Sequence, residues 1–357
     1  MYRGEPSTNE RLIRYFKLES LEKDWIKLIS LLGADNYSDG ETLGGFTTYF
    51  PKYKGPDFNT VFEINRFDIW GIKPDEVFIG DERHVVFSGS PPLSSKDEIA
   101  DIEKYSFPQL SWFDFSIYKN NTEQINYKNA GEQQEIKLSD LKKSDEYFQN
   151  ASCLNILFMV STYLRGMEKL FMDFLLNPIY AEALISKIGE FMVEFNKINL
   201  FNIGNAIDLY GIWDDFADQE GLMISPGLWR KFYKPWYEKL ITEAKKYGLL
   251  VCFHICGNCS DIIGDLIEMG VDLLDPVQTS ARNMGLENLK QKFGKNICFH
   301  GGLDTQKFLP NANPKQIKNE VKRISSLFEN SGGLILGPSH YITSDVSIEN
   351  ILAIYER

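Results

Sequence analysis

A chain of 357 residues with 43% hydrophobic side chains carries enough apolar material for one large domain or two ordinary ones. Its formal net charge of −12 argues against a nucleic-acid partner, because neutralising phosphates takes clustered Lys and Arg. The apolar runs, such as 154–160, are too short to span a bilayer, and the start Met1-Tyr2-Arg3-Gly4-Glu5 lacks a secretion signal, so a soluble cytoplasmic protein is expected.

Segment 9–32 is amphipathic with helical character, whereas 49–58, with Pro51, Gly55 and Pro56, predicts a loop. Segments 64–72 and 84–87 predict strands or a hairpin, and Pro91-Pro92 with the acidic stretch 97–103 predicts a surface excursion. A rhythm follows. Apolar run 154–160 predicts a strand before a helix at 165–177; 206–213 predicts a strand ending in Asp214-Asp215 before a long helix over 226–246. Strand 249–253 ends in His254-Ile255-Cys256-Gly257, and 271–274 in Asp275-Pro276-Val277-Gln278. Strand 296–299 ends in His300-Gly301-Gly302-Leu303-Asp304, and 334–336 in Gly337-Pro338-Ser339-His340. Strands alternating with helices imply parallel βαβ units, and six in succession favour a closed α/β barrel of the TIM type over an open sheet. The whole chain is expected to form one barrel domain, with an irregular part over 1–150 that supplies the remaining strands and regular βα units over 151–357.

Barrel enzymes build their sites at the carboxyl ends of the strands. Those ends present Asp214, Asp215, His254, Cys256, Gln278, Asp304 and His340, and three of the chain's four histidines lie at or near them. In an extended segment, residues two apart face the same side, so His254 and Cys256 can meet one ion. Imidazole and thiolate suit zinc, a catalytic zinc keeps three protein ligands and one open position, and His340 is the candidate for the third. Cys259 is a rival better suited to packing, and Cys252 and Cys298 belong to the core. His300 is a further candidate ligand, while Gly301 and Gly302 mark a close backbone approach. Asp215 and Asp304 are candidates for acid–base work, and Asp214, Gln219 and Gln278 for substrate binding. Capping the next helix is the competing role for these aspartates, and the favoured one for Asp214. Trp213, Trp229 and Trp236 are expected in the core.

Several stretches carry a family likeness: Phe67-Asp68-Ile69-Trp70-Gly71, Asp214-Asp215-Phe216-Ala217-Asp218-Gln219, Ile224-Ser225-Pro226, His254-Ile255-Cys256-Gly257, Gly270-Val271-Asp272, Asp275-Pro276-Val277-Gln278, Gly301-Gly302-Leu303-Asp304, and 332–340 with Glu349-Asn350. In these the chain resembles the uroporphyrinogen decarboxylase superfamily, which implies a (β/α)8 barrel. The decarboxylase branch carries an amino-terminal Met-Arg-Gln-Ala-Gly-Arg segment whose arginines grip substrate carboxylates, and this chain has nothing like it. The cobalamin-dependent methyltransferase branch binds zinc through a His-x-Cys pair and a distant Cys. His254 and Cys256 match the pair, and His340 stands in the place of the distant Cys. Relatives also carry an extra strand before the helix that begins near Asn9, for which 2–6 is a candidate remnant.

The resemblance implies methyl transfer between a small methyl donor and a corrinoid. The chain has no corrinoid-ligating Asp-x-His-x-x-Gly, so the corrinoid is expected on a partner protein. A zinc on two imidazoles and one thiolate keeps net positive charge, which favours activation of a donor such as a methoxylated compound. The alternative is a metal-free decarboxylase on the same barrel, and homodimerisation stays open.

Overall fold

The computed structural model describes residues 4–34, 49–56, 68–73, 75–79, 82–86, 90–118, 124–127, 133–136, 150–151 and 154–356. Its centre is a parallel sheet of six strands: β1 (Asn150–Ala151), β2 (Leu209–Trp213), β3 (Leu250–His254), β4 (Leu273–Val277), β5 (Cys298–Leu303) and β6 (Leu334–Pro338). They lie side by side in strict chain order, each joined to the next through helices. A barrel wall winds in this sequential way, whereas an open doubly wound sheet reverses its order part-way. Val251, Cys252 and Phe253 of β3 are all fully buried, as expected for a strand covered on both faces. A single parallel bridge joins Gly4 to Ile342 beyond the end of β6, with the Glu5 N–H donating to Ile342 O at 3.0 Å, so part of the candidate remnant 2–6 does pair there.

Several expected elements are corrected. The run 154–160 is not a strand: Leu157–Arg165 is a helix, and β1 lies upstream at Asn150–Ala151. A continuous apolar run without alternation suits a buried helix as well as a buried strand. Here most of the helix is buried, including Leu157, Phe158, Val160 and Leu164. The long helix over 226–246 is two helices, Pro226–Phe232 and Lys234–Lys245, parted at Tyr233. Pro235, early in the second, has no N–H to extend the ladder from the first.

Helical segment 9–32 is also a pair, Pro6–Phe16 and Leu21–Leu32, broken where Lys17 turns left-handed at φ 56°. Strand Asp75–Ile79 pairs antiparallel with Glu82–Val86, so 84–86 of the predicted strand 84–87 are one arm of a hairpin whose other arm is 75–79, not 64–72; Phe87 lies outside the described residues. Of 64–72, residues 64–67 lie outside the described residues, and Asp68–Trp70 is a short 3-10 turn rather than a strand. Within 49–58, predicted as a loop, Tyr49–Phe50 and Lys52–Tyr53 form two-residue strands. The acidic excursion contains the helix Ile99–Lys104. Among the described residues, the amino-terminal strands form small antiparallel sheets apart from the central one. Fully buried Arg165 ties the excursion to the sheet domain: its guanidinium donates to Leu93 O at 2.6 Å, Lys96 O at 2.5 Å, and the carboxylates of Asp97 and Asp173.

Candidate metal centre

Register brings the site together. His254, the last residue of β3, is paired with Trp213 at the end of β2 and with Asp275 in β4. In-register neighbours of a parallel sheet project from the same face, so the three side chains meet. The Trp213 indole stacks on the His254 ring, with centroids 4.1 Å apart and planes at 19°. The Asp275 carboxylate contacts His254 Nδ1 at 2.5 Å through one oxygen and His300 Nδ1, from β5, through the other. Asp275, His300 and His254 are 0%, 2% and 6% exposed, so the array is almost dry.

Beyond the strand ends, the chain lays Asp215 and Cys256 over this row. The Cys256 Sγ lies 3.6 Å from His254 Nε2, and the Cys256 N–H donates to Asp215 Oδ1 at 2.8 Å. Among the described residues, Asp215, His254 and Cys256 form a group whose donor atoms all lie within 4.8 Å of one another. One nitrogen, one sulfur and one oxygen at that separation fit a zinc ion with an open fourth position. The loop turns here at Gly257, φ 92°, where a Cβ would collide with Asp218 O. That close approach lets the Asn258 N–H donate to Asp218 O at 2.7 Å and locks the loop after β3 to the loop after β2. Gln278 Oε1 accepts from the Gly257 N–H at 3.0 Å and from Gln219 Nε2 at 3.1 Å, so the two glutamines expected at a substrate hold each other and the loop.

The remaining candidates fall elsewhere. Asp214 is fully buried; its carboxylate accepts the N–H groups of Phe158 and Met159 at 2.6 and 3.0 Å, capping not the next helix but the earlier one, Leu157–Arg165, and the Tyr237 hydroxyl at 2.7 Å. Burial pushes this carboxyl up to about 7. Asp304 accepts backbone N–H groups from Gln306, Lys307 and Phe308, closing the turn that follows β5. His340 is exposed past the end of β6, edge-on to Tyr341, and is not part of the three-residue group. Cys259 is fully buried, its thiol pushed up to about 12 by that burial, which disfavours the thiolate a metal needs. Trp229 is in the core as expected, but Trp213 belongs to the site. Asp275 follows the run 271–274 just as His254 follows 249–253, and that shared position at a strand end is the signal in the sequence for its place beside His254, where Gln278 is the residue expected.

Comparison with known proteins adds three findings. The family model described as uroporphyrinogen decarboxylase (URO-D) matches residues 157–357. A uroporphyrinogen decarboxylase of Ruthia magnifica subsp. Calyptogena magnifica is 24% identical over 184 residues, which are 49% of this chain and 48% of that protein. The chain therefore spans about half the length of that curated relative. A solved structure, a methyltransferase from Methanosarcina mazei, superposes with a TM-score of 0.54 at 16% identity, covering 81% of this chain and 75% of the other. Among the described residues, no helix is long and apolar enough to cross a membrane.

Proposed function

The chain belongs to the uroporphyrinogen decarboxylase (URO-D) family, and from that premise we propose that it is a zinc-dependent methyltransferase, moving a methyl group between a small molecule and a corrinoid carried by a partner protein. The observation that carries this reading is the convergence of Asp215, His254 and Cys256. A carboxylate, an imidazole and a thiolate at the mouth of a parallel sheet form a metal site of catalytic type. When bound, zinc supplies Lewis acidity to the heteroatom that carries or receives the methyl group.

The chain's own groups do the rest. Cys256 contributes a thiolate, and its N–H holds Asp215 in place at 2.8 Å. Trp213 covers the His254 ring and keeps water from its face. The charge of the donor set bears on the substrate. Two anionic donors, Asp215 and Cys256, cancel the charge of zinc, which favours an acceptor thiol held as thiolate. His340 in place of Asp215 would leave net positive charge and favour a methoxylated donor.

The test is anaerobic and spectroscopic. Zinc-loaded protein is mixed with methylcobalamin and a panel of thiols, and separately with Co(I) cobalamin and methoxylated aromatic compounds. Corrinoid spectral change in either mixture, abolished in Cys256→Ala, supports methyl transfer, and the responding mixture gives its direction. A second reading, a metal-free decarboxylase, is favoured by the name of the curated relative. Carbon dioxide release from a porphyrinogen, unaffected by Cys256→Ala and without corrinoid change, would establish that reading instead.

A further inference from the structure

We infer that Asp275 and His300 are positioning residues for the candidate metal centre: the Asp275 carboxylate fixes the tautomer and ring plane of His254, and His300 fixes the carboxylate. The inference rests on the assignment of His254 as a ligand under the proposed function. It gives a role to two residues outside the three-residue group.

The geometry supplies the argument. Two imidazole nitrogens, Nδ1 of His254 and Nδ1 of His300, contact the two oxygens of one buried carboxyl group. A neutral acid would donate to one ring and accept from the other, leaving the two rings in opposite tautomers. An ionised carboxylate, which only accepts, serves both at once. With the carboxylate ionised, as we infer, both imidazoles carry their proton on Nδ1, and His254 presents a bare Nε2 lone pair towards Cys256 Sγ, 3.6 Å away. That is the tautomer a ligand through Nε2 must have, and a partner on the other ring nitrogen is the usual way of fixing it.

The array is rigid for three independent reasons. His254, Asp275 and His300 come from the adjacent strands β3, β4 and β5. Trp213 blocks rotation of the His254 ring from one side. The backbone repeats the tie, with the Ile255 N–H donating to Asp275 O at 2.8 Å. A buried carboxylate bridging two histidines is also more than packing requires, since an apolar side chain would fill the same space without a desolvation cost.

The experiment begins on metal-free protein labelled with 15N-histidine, where the four imidazoles of the chain give a readable spectrum. His254, assigned through His254→Gln, should show a protonated Nδ1 and a bare Nε2 in the wild type. In Asp275→Leu it should revert to the Nε2–H form. Zinc affinity by chelator competition should fall about 10- to 100-fold in Asp275→Leu, and less in Asp275→Asn, which keeps one acceptor. His300→Leu should also lower affinity, and His300→Gln, which restores an N–H donor, should recover part of it. A wild-type His254 protonated on Nε2 would overturn the inference, and so would a zinc affinity indifferent to Asp275. The wild-type spectrum needs no variant to fold. It also needs no methyl transfer, so failure of the proposed activity and failure of this inference are separate results.

Discussion

Asp214 and Asp215 are adjacent in sequence and opposite in surroundings. One carboxylate points inward, holding the start of a helix and the Tyr237 hydroxyl, while the other oxygen pair lies beside Cys256 and His254. Their substitution should therefore separate two properties. Asp214→Ala leaves two N–H groups and one hydroxyl without their buried acceptor, and should destabilise the fold by about 3 kcal/mol in urea unfolding. Asp215→Asn should leave the urea midpoint of metal-free protein nearly unchanged while weakening zinc binding by chelator competition. Equal stability loss in both variants, with zinc binding intact, would contradict the division. The His254–Cys256 pair was legible because alternation in an extended segment puts both side chains on one side. Asp215 was legible as a strand-end carboxylate but not as a companion of Cys256, since loop geometry, not spacing, brings it there. Asp275 was hidden because register between strands, not proximity in sequence, sets it against His254.

At the scale of elements, strands announced themselves more clearly than helix ends. The runs that became β2 to β6 end in polar or glycine-rich segments, and each was placed within a few residues. The run 154–160 has no alternation to mark it, and the helix it enters is capped by a distant carboxylate, Asp214, from another strand's end. Helix Pro226–Phe232 is tied to helix Ile263–Met269 by Arg230 and Asp265, with Lys234 from the next helix sharing the carboxylate at 3.0 Å. Hydrogen bonds from Arg230, and secondarily from Lys234, hold the Asp265 carboxyl below its usual value of 3.8. Because the folded-state value is depressed, the contribution is complete above the unfolded value and is lost as pH falls through the folded one. Asp265→Asn should thus cost about 1 kcal/mol at neutral pH, allowing for the half-exposed Arg230, and the gap from wild type should close as pH falls below 3.8. Paired urea titrations at neutral and acid pH check this; a gap that persists in acid would assign it to packing.

For the whole molecule, the sheet domain and the amino-terminal part meet at Arg165, which is fully buried and engages four groups on both sides of the junction. Arg165→Ala strands the nearly buried Asp173 and should cost roughly 3–5 kcal/mol, read as a lowered urea midpoint. The carboxyl-terminal half was legible as successive βα units because local apolar runs and strand-end polar residues repeat there. The amino-terminal part was less so, because its pairings among the described residues are short and antiparallel, and Gly4 joins it to the segment beyond β6 by one parallel bridge. Sequence and fold agree on an α/β chain of the uroporphyrinogen decarboxylase family, and the claim that gives it a chemistry is the metal. Elemental analysis of wild type and Cys256→Ala, purified under reducing conditions, tests that claim most directly. The account predicts about one zinc per wild-type chain and little in the variant. Wild-type protein without zinc, even after anaerobic reconstitution, or zinc retained in full by Cys256→Ala, would contradict it.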